Sequence, residues 1–284
     1  MKRLALILLL LLAGGRIPAS ESAAPVTCLP LRSVSKADVP FGTGESLTYV
    51  VHYKWGVINS DVAKGYVTVD STRMSGKDVF RCRIYGRTAK FYDPFFKVRE
   101  DFRTWLTMDG LVPLRFTRDT KEGGYYARDE YRYIRHGGDM HIAASLDSKT
   151  KGQRSINLPL NDCTFDFLSL LFLARNVDVG RLQVGHKYNL SFALDDDVDN
   201  IYLVYKGREV RNVKNIGKVR TLKFAVQLVE NEQFNDGTDM HMWLTDDGNR
   251  IPVLFEMPIK FGVVSGYLES REGLKYPMQS LVNE

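Results

Sequence analysis

The longest apolar stretch typical of a buried helix lies near the middle of the chain, at residues 161–180 (NDCTFDFLSLLFLARNVDVG). Its apolar side chains cover most of the circumference of a helix, which predicts a helix over residues 164–176 that is covered on nearly all sides. Asp162 or Thr164 can serve as its N-cap. Its polar residues fall on one narrow stripe, which predicts a solvent-facing edge. These residues are Asp162, Asp166, Ser169 and Asn176.

Apolar and polar residues alternate on both sides of this helix, and such alternation predicts β-strands. Before the helix, the predicted strands cover residues 44–53, 64–71, 79–88, 97–108, 112–117, 125–135 and 140–145. After it, they cover 187–194, 201–206, 219–229, 240–245, 253–257 and 263–269. Short turns rich in Gly and Asp separate them, which favours an antiparallel meander over βαβ units. Residues 25–41 show few periodic signals, so we expect a leader segment with order beginning at Gly42.

An internal duplication relates the two strand-rich regions. The segment from Asp101 to Phe116 (DFRTWLTMDGLVPLRF) resembles the segment from Asp239 to Phe255 (DMHMWLTDDGNRIPVLF). Each Asp-Gly pair predicts a hairpin turn, and each following Pro suits the start of the return strand. Glycine pairs at nearly the same spacing extend the match; they are Gly44 with Gly185, Gly76 with Gly217 and Gly124 with Gly266.

The fold class that follows is mainly β, with two similar antiparallel curved sheets (half-barrel or sandwich-like) joined by one central buried helix. The predicted parts are a signal peptide (1–24), a leader (25–41), a first β repeat (42–150), a connecting helix (161–180) and a second β repeat (181–284), within one integrated domain. Curved sheets with a concave face often hold apolar ligands.

Side-chain alternation places one Trp of each repeat among polar residues, on the face opposite the predicted core. This gives weak ligand-binding candidates, namely Asp101, Arg103, Trp105, Asp239, His241 and Trp243. Such a Trp could form an aromatic platform for a sugar or lipid. It could equally cover the sheet or pack beneath the neighbouring half.

The N-terminus carries the pattern of an export signal. Lys2 and Arg3 precede the ten apolar residues 4–13, and cleavage near Ser22 or Ala24 is plausible. The apolar run is too short to span a bilayer, and no later run reaches transmembrane length, so the expected location is the periplasm or the exterior. A net charge of +5 over 284 residues is too mild to indicate nucleic-acid binding.

Cysteine and histidine usage points to no metal site. In an oxidising compartment, two of Cys28, Cys82 and Cys163 could form a disulfide, but spacing does not select the pair. Alternatively, Cys82 and Cys163 could be small buried residues. The acidic run at residues 195–199 lacks the pattern of an EF-hand and predicts a solvated hairpin tip. No motif of a hydrolase, nucleotide-binding or metal-dependent enzyme occurs, so we predict no catalytic residue and no cofactor.

Three short motifs resemble an exported bacterial family catalogued as domain of unknown function 3108. They are the opening Gly44-Glu45-x-Leu47-x-Tyr49, the helix motif Asp166-x-x-Ser169 and the Asp-Gly-x-x-Pro strands. The resemblance covers residues 42–272. It implies export and architecture, but no activity.

The leading expectation is an exported, non-catalytic binding protein of the cell envelope whose partner is a lipid, a glycan or an envelope protein. The alternative is a structural or assembly factor whose concavity is filled by its own side chains. A hydrolase with unrecognised carboxylates ranks last. The oligomeric state stays open.

Overall fold

The computed structural model describes residues 28–136, 138–227 and 239–282, and most of them lie in β-strands. The strands are β1 (Ser46–Trp55), β2 (Ile58–Met74), β3 (Lys77–Thr88), β4 (Val98–Thr107), β5 (Pro113–Glu122), β6 (Tyr125–His136), β7 (Asp139–Ser148), β8 (Gly152–Pro159), β9 (Thr164–Phe165), β10 (Lys187–Leu194), β11 (Asp197–Val213), β12 (Gly217–Gln227), β13 (Asp239–Thr245), β14 (Pro252–Ile259) and β15 (Gly262–Glu272). The helix α1 spans Phe167–Ala174, and one turn of 3-10 helix follows at Val179–Arg181. The proposed signal peptide lies outside the described residues.

All fifteen strands belong to one sheet, in the order β8-β7-β6-β5-β4-β3-β2-β1-β15-β14-β13-β12-β11-β10-β9. Strands β1 to β8 form one antiparallel meander and β10 to β15 form another, while β9 joins β10 in parallel. The two meanders merge because β1 pairs with β15 along nearly its whole length. The chain is therefore mainly β, as predicted. Two separate sheets are not confirmed, and one large curved open sheet takes their place.

The sequence repeat corresponds to six strands in each meander, β1–β6 and β10–β15. Two of the three matched glycine pairs adopt matching backbone conformations: φ is 95° at Gly44 and 84° at Gly185, and 78° at Gly76 and 96° at Gly217. L-amino acids with a side chain rarely adopt positive φ, so the turns themselves require these glycines. The third predicted pair is wrong, because Gly124 lies in the turn before β6 whereas Gly266 lies inside β15. The two repeats lie side by side in the sheet, with β7, β8, β9 and α1 inserted between them in the chain.

The matched Trp strands share a further irregularity. The ladder shifts register directly after Trp105, between β4 and β5, and directly after Trp243, between β13 and β14. In both repeats a Thr hydroxyl then accepts a hydrogen bond from the backbone N–H of the residue just before the Pro (2.9 Å each). These are Thr107 with Val112 and Thr245 with Ile251. A shared bulge and a shared turn bond support the duplication at the level of local geometry.

Helix α1 is shorter than predicted and its polar stripe does not face solvent. The N-cap is Asp166, whose carboxylate accepts hydrogen bonds from the backbone N–H of Leu168 (3.0 Å) and Ser169 (2.8 Å). Asp166 also accepts a bond from the Tyr133 hydroxyl (2.7 Å). Asp166, Ser169 and Asn176 are buried. Asp166 and Ser169 form the cap of the helix, and Asp166 also connects it to the sheet. The amide of Asn176 donates instead to the carbonyl oxygen of Arg32 in the leader (2.9 Å).

The helix packs inside the curl of the sheet. It contacts β3 and β4 on one side and β10 on the other, although these strands stand far apart in the sheet order. The ring of Phe172 lies 5.0 Å from that of Phe41, and Phe167 lies 5.9 Å from Phe102. Among the described residues, no helix is both long and apolar enough to cross a membrane.

A buried ion pair fixes the end of α1. Both Arg175 and Glu45 are nearly inaccessible, and the guanidinium contacts the carboxylate through two hydrogen bonds (2.5 and 2.8 Å). Arg175 also donates to the carbonyl oxygens of Asn249 and Pro40, at 3.1 Å each. Glu45 of the opening Gly-Glu motif therefore has a structural partner on the opposite side of the core.

The predicted leader is part of the core as far as the structure describes it. Leu29, Val34, Val39 and Phe41 are buried, so order begins well before Gly42. A disulfide joins Cys28 to Cys163, which settles the pairing that spacing left open and corrects the alternative of Cys163 as a small buried residue. Cys82 is a buried free thiol.

The two ends of the sheet meet through the hairpin tip between β10 and β11. Asp195 contacts Arg118 of β5 and accepts a hydrogen bond at its carbonyl oxygen from the Tyr131 hydroxyl (3.0 Å). Asp196 pairs with Lys151 (2.8 Å) and Arg154 (3.2 Å) next to β8. We call this contact the clasp. The acidic run does form a hairpin tip, but Asp195 and Asp196 are paired with cations instead of being only solvated.

Candidate functional site

The predicted ligand residues of β4 form an ion-pair network on the outer face of the sheet. Asp101 accepts hydrogen bonds from Arg83 (2.8 Å) and Arg103 (2.7 Å). Partial burial alone would raise the pKa of Asp101, but these bonds lower it. The guanidinium of Arg115 lies over the ring of Trp105, 4.9 Å from its centroid. The half-exposed Trp105 thus has one ring face covered by a cation.

The matching residues of β13 are more deeply covered. Trp243 is only 1% exposed, and its indole N–H donates to Glu209 (2.5 Å). The guanidinium of Arg211 lies 4.5 Å from the ring centroid. His241 lies beside Trp243, with 6.0 Å between ring centroids, and burial lowers its pKa. Asp239 is half-buried at the start of the strand, opposite Gln227.

The structure therefore brings the candidates together within each repeat but not across repeats. Five strands separate β4 from β13 in the sheet. At about 4.8 Å per strand, the two Trp positions lie roughly 29 Å apart along the sheet. They do not share a cleft, and their role as ligand platforms stays a prediction.

An apolar cavity of about 180 Å³ lies instead on the inner face of the first repeat, at the end of the sheet where β1 turns into β2. Strands β1, β2, β3, β4 and β15 and the loop between β3 and β4 form its walls. Its apolar lining includes Val51, Tyr53, Val62, Phe96, Val98 and Val264. Apolar cavities of roughly 150 Å³ already accept a molecule the size of benzene, so this one can hold an apolar group.

One acidic side chain, Glu100, lines the cavity among these apolar groups. It is buried, and its Oε2 atom accepts a hydrogen bond from the Thr120 hydroxyl (2.7 Å). The other oxygen, Oε1, has no hydrogen-bond partner among the described residues. Burial, and then the neighbouring carboxylate of Glu122, hold the pKa of Glu100 well above its usual range. Glu100 is therefore a neutral acid at pH 7, with a hydrogen to donate.

The acidic groups at the clasp, unlike Glu100, are in direct contact with a buried cation. Arg118 and Asp129 are both buried, with Nε and Oδ2 2.7 Å apart in an orientation that makes an ion pair but no hydrogen bond. Burial alone would lower the pKa of Arg118, but Asp195 and Asp129 raise it. Burial raises the pKa of Asp129 to about 6, against the effect of Arg118. The clasp therefore places the guanidinium of Arg118 between the side chains of Asp129 and Asp195.

The loop between β3 and β4 is held in a defined conformation at the cavity wall. Asp93 accepts a hydrogen bond from Arg99 (2.6 Å), and this bond is the main reason that its pKa falls to about 2. The Tyr92 hydroxyl donates to Ser60 of β2 (2.7 Å). Tyr92 and Phe96 line the cavity. The alternate residues of the loop, Phe91 and Phe95, are 74% and 78% exposed.

The cavity is surrounded by exposed apolar side chains on three adjacent segments. These are the β1–β2 tip, the β3–β4 loop and the β14–β15 tip. We call the seven side chains the apolar rim: Trp55, Val57, Ile58, Phe91, Phe95, Phe261 and Val263. They are seven of the eleven large exposed apolar side chains in the part of the chain that the structure describes, and such clustering makes the rim a candidate interaction surface.

The rim is continuous with the cavity. Ile58 is both exposed and part of the cavity lining. The rings of Trp55 and Phe261 lie 5.9 Å apart, and the Tyr53 hydroxyl donates to the carbonyl of Phe261 (2.7 Å). An apolar molecule that enters the cavity from this side therefore passes between rim side chains.

Sequence reasoning missed both the cavity and the rim. The signal was present, since Phe91 and Phe95 stand in a segment that neither strand pattern includes. Apolar residues in a predicted loop have no sheet face to occupy, and this makes them candidates for a binding surface. Glu100 carried no such signal, because its burial depends on which face of β4 turns inward.

Comparisons with known proteins identify a family but no activity. The sequence profile described as "Protein of unknown function (DUF3108)" matches residues 48–269. No curated protein matches the chain. A solved structure from Brucella abortus, described as a beta-barrel-like protein of domain of unknown function DUF1849, aligns with 88% of this chain and 100% of its own. The sequence identity is 12% and the TM-score 0.48.

Proposed function

We propose, from the premise that this chain belongs to the DUF3108 family, that it is an exported, non-catalytic protein that binds the apolar chain of a lipid in its cavity. The observation that carries the proposal is the apolar cavity with an apolar rim at its edge. Apolar walls favour a hydrocarbon chain, since burial contributes roughly 0.8 kcal/mol per CH₂ group. A glycan would instead need several hydrogen-bonding groups, and the described lining offers few.

The size of the cavity limits how much of a ligand it can enclose. Sites that enclose a whole drug-sized molecule measure roughly 300–1,000 Å³. A cavity of about 180 Å³ takes only part of a lipid. The remainder of the chain and the head group would lie against the rim. The neutral Glu100 supports this assignment, because a protonated acid disturbs an apolar neighbour far less than a carboxylate does.

Export is supported by two separate features. The N-terminal segment has the composition of a signal peptide. The Cys28–Cys163 disulfide is typical of an oxidising compartment such as the periplasm. We therefore place the protein in the periplasm or outside the cell, as part of this proposal.

A displacement assay tests the ligand class. The apolar fluorophore 1-N-phenylnaphthylamine should bind the protein, palmitate should displace it, and maltotriose should not. Ala63→Leu, which adds volume at the cavity wall, should weaken binding. Ala143→Leu places the same change on a half-buried position of β7 away from the cavity and should leave binding unchanged. Equal binding by both variants, or displacement by the sugar, contradicts the proposal.

The second candidate is a structural or assembly factor without a small-molecule ligand. It is favoured by helix α1, which fills much of the curl and leaves a cavity of only about 70 Å³ beside β10–β13. Mass spectrometry of the purified protein distinguishes the two. A co-purified lipid that is lost in Ala63→Leu supports the binding protein, whereas its consistent absence supports the structural factor.

A further inference from the structure

We infer that the apolar rim is a membrane-docking surface that inserts into a lipid bilayer carrying anionic head groups. This goes beyond ligand binding, because docking uses the outer surface of the rim and does not need the cavity to be filled. Exposing Phe91 and Phe95 to water is unfavourable, and their loop is held rigidly enough by Asp93 and Tyr92 to keep them exposed.

The positively charged side chains beside the rim indicate an anionic partner. The same three segments carry four exposed lysines, Lys54, Lys90, Lys97 and Lys260. None of them forms an ion pair with a described residue. The one acidic residue within these segments, Asp93, is already neutralised by Arg99 (2.6 Å). Aromatic side chains next to unpaired lysines match a bilayer surface, where rings enter the head-group region and cations meet lipid phosphates.

Exposed apolar side chains and unpaired lysines do not cluster in this way elsewhere among the described residues. The other exposed large apolar residues that the structure describes are scattered singly, at Val112, Met140, Val184 and Val210. The β10–β11 tip at the equivalent place in the second repeat carries aspartates, which an anionic surface repels. The molecule therefore has one end of its first repeat suited to the membrane.

Vesicle co-sedimentation tests the inference. The protein should bind phosphatidylcholine vesicles that contain phosphatidylglycerol, and should bind pure phosphatidylcholine much more weakly. The double variant Phe91→Ser, Phe95→Ser should bind at least roughly tenfold more weakly, because two buried rings are lost. The matched control Val184→Ser, Val210→Ser removes exposed apolar groups elsewhere and should bind like the unmodified protein.

Charge is tested separately. Lys90→Gln, Lys260→Gln should weaken binding to phosphatidylglycerol vesicles by roughly fivefold per lysine, and added salt should abolish the difference. Trp55 should shift its emission to shorter wavelength on binding, and Trp55→Phe should remove that shift without preventing sedimentation. Circular dichroism of each variant checks that the fold is retained.

Three outcomes overturn the inference: no binding to the anionic vesicles, equal binding by the Phe91/Phe95 variant, or a rim-dependent dimer that sediments without vesicles. The last would identify a second copy of this chain as the occupant. The cavity variant Ala63→Leu should still dock, so a failure of lipid uptake and a failure of docking give different results.

Discussion

The β1–β2 tip and the β10–β11 tip occupy equivalent positions in the two repeats but have opposite surroundings. Both are two-residue turns whose first residue has positive φ, 55° at Gly56 and 49° at Asp195. The first tip exposes Trp55 and Val57 to solvent. The second is acidic and docks on Arg118. One copy of the duplicated hairpin closes the sheet, whereas the other stays exposed to solvent.

The same contrast applies to the carboxyl groups inside the sheet. Near the first tip, Glu100 stays neutral among apolar side chains. Near the second, Arg118 lies between Asp129 and Asp195 and contacts both side chains, and it lowers the pKa of Asp129 against the effect of burial. Arg118 pairs directly with Asp129 (2.7 Å), whereas it lowers the pKa of Glu100 without forming an ion pair with it, so burial and the neighbouring Glu122 prevail at Glu100.

The largest effect is expected from breaking the clasp. Arg118→Met leaves Asp129 buried without its cation, and such a change typically costs about 3–5 kcal/mol of unfolding free energy. Urea unfolding measures it. Arg128→Met removes an exposed guanidinium 3.8 Å from Asp119 and should cost less than about 1 kcal/mol. Similar losses in the two variants would show that the clasp does not stabilise the fold.

The second-largest effect is expected at the two repeated tryptophans, whose replacement should lower the unfolding free energy by different amounts. Trp243→Phe loses a buried ring edge and the hydrogen bond to Glu209, so we expect a loss of about 2 kcal/mol. Trp105→Phe changes a half-exposed ring without a described hydrogen bond at its nitrogen, and should lose less than about 1 kcal/mol. Thermal unfolding of both variants measures the difference. A greater loss of unfolding free energy in Trp105→Phe than in Trp243→Phe would contradict this expectation.

A smaller effect is expected in the pH dependence of stability. The folded-state pKa of Glu100 lies above its unfolded value, so the folded protein binds more protons between these values. Its contribution to stability is therefore complete below about pH 4.5 and is lost as pH rises from there to about 9, with a slope of at most about 1.4 kcal/mol per pH unit. Glu100→Gln should flatten this slope. An unchanged slope means that Glu100 does not titrate in this range.

The smallest effect concerns the exposed side of the clasp. Asp196→Asn weakens two partly exposed ion pairs, with Lys151 and Arg154, and should cost about 0.2–1 kcal/mol. The loss should shrink in high salt because these charges are screened. Val57→Asn at the equivalent tip should not alter stability measurably. Denaturant titrations at two salt concentrations test both, and a salt-independent loss would contradict screening.

The sequence predicted features that depend on local geometry. The glycines at positive φ, the Asp-Gly turns and the alternating faces of β4 are properties of short segments, and the duplication made them visible twice. A helix lies within the predicted range but is shorter than predicted. Asp166 and Ser169, which we interpreted as part of an exposed stripe, form the cap at its start. Their bond to each other is a local capping bond, whereas the bond from Tyr133 to Asp166 forms only where the helix packs against β6.

Features that join distant segments were not predictable in the same way. Nothing local in β1 indicates that it pairs with β15 or that Glu45 contacts Arg175. The disulfide partner of Cys28 depends on where residues 28–41 pack. The cavity depends on five strands and one loop together, so no short segment of the sequence indicates it. The predicted site on β4 and β13 stays a prediction.

The pairing of β1 with β15 also has a consequence for how the protein is made. During synthesis, β1 is among the first strands to emerge and β15 is the last. Until β15 arrives, the Leu47-Thr48-Tyr49-Val50-Val51 segment presents an open strand edge of strongly β-forming residues, which is prone to pair with other chains. The edge of β1 on this side is covered only once β15 has formed and paired with it.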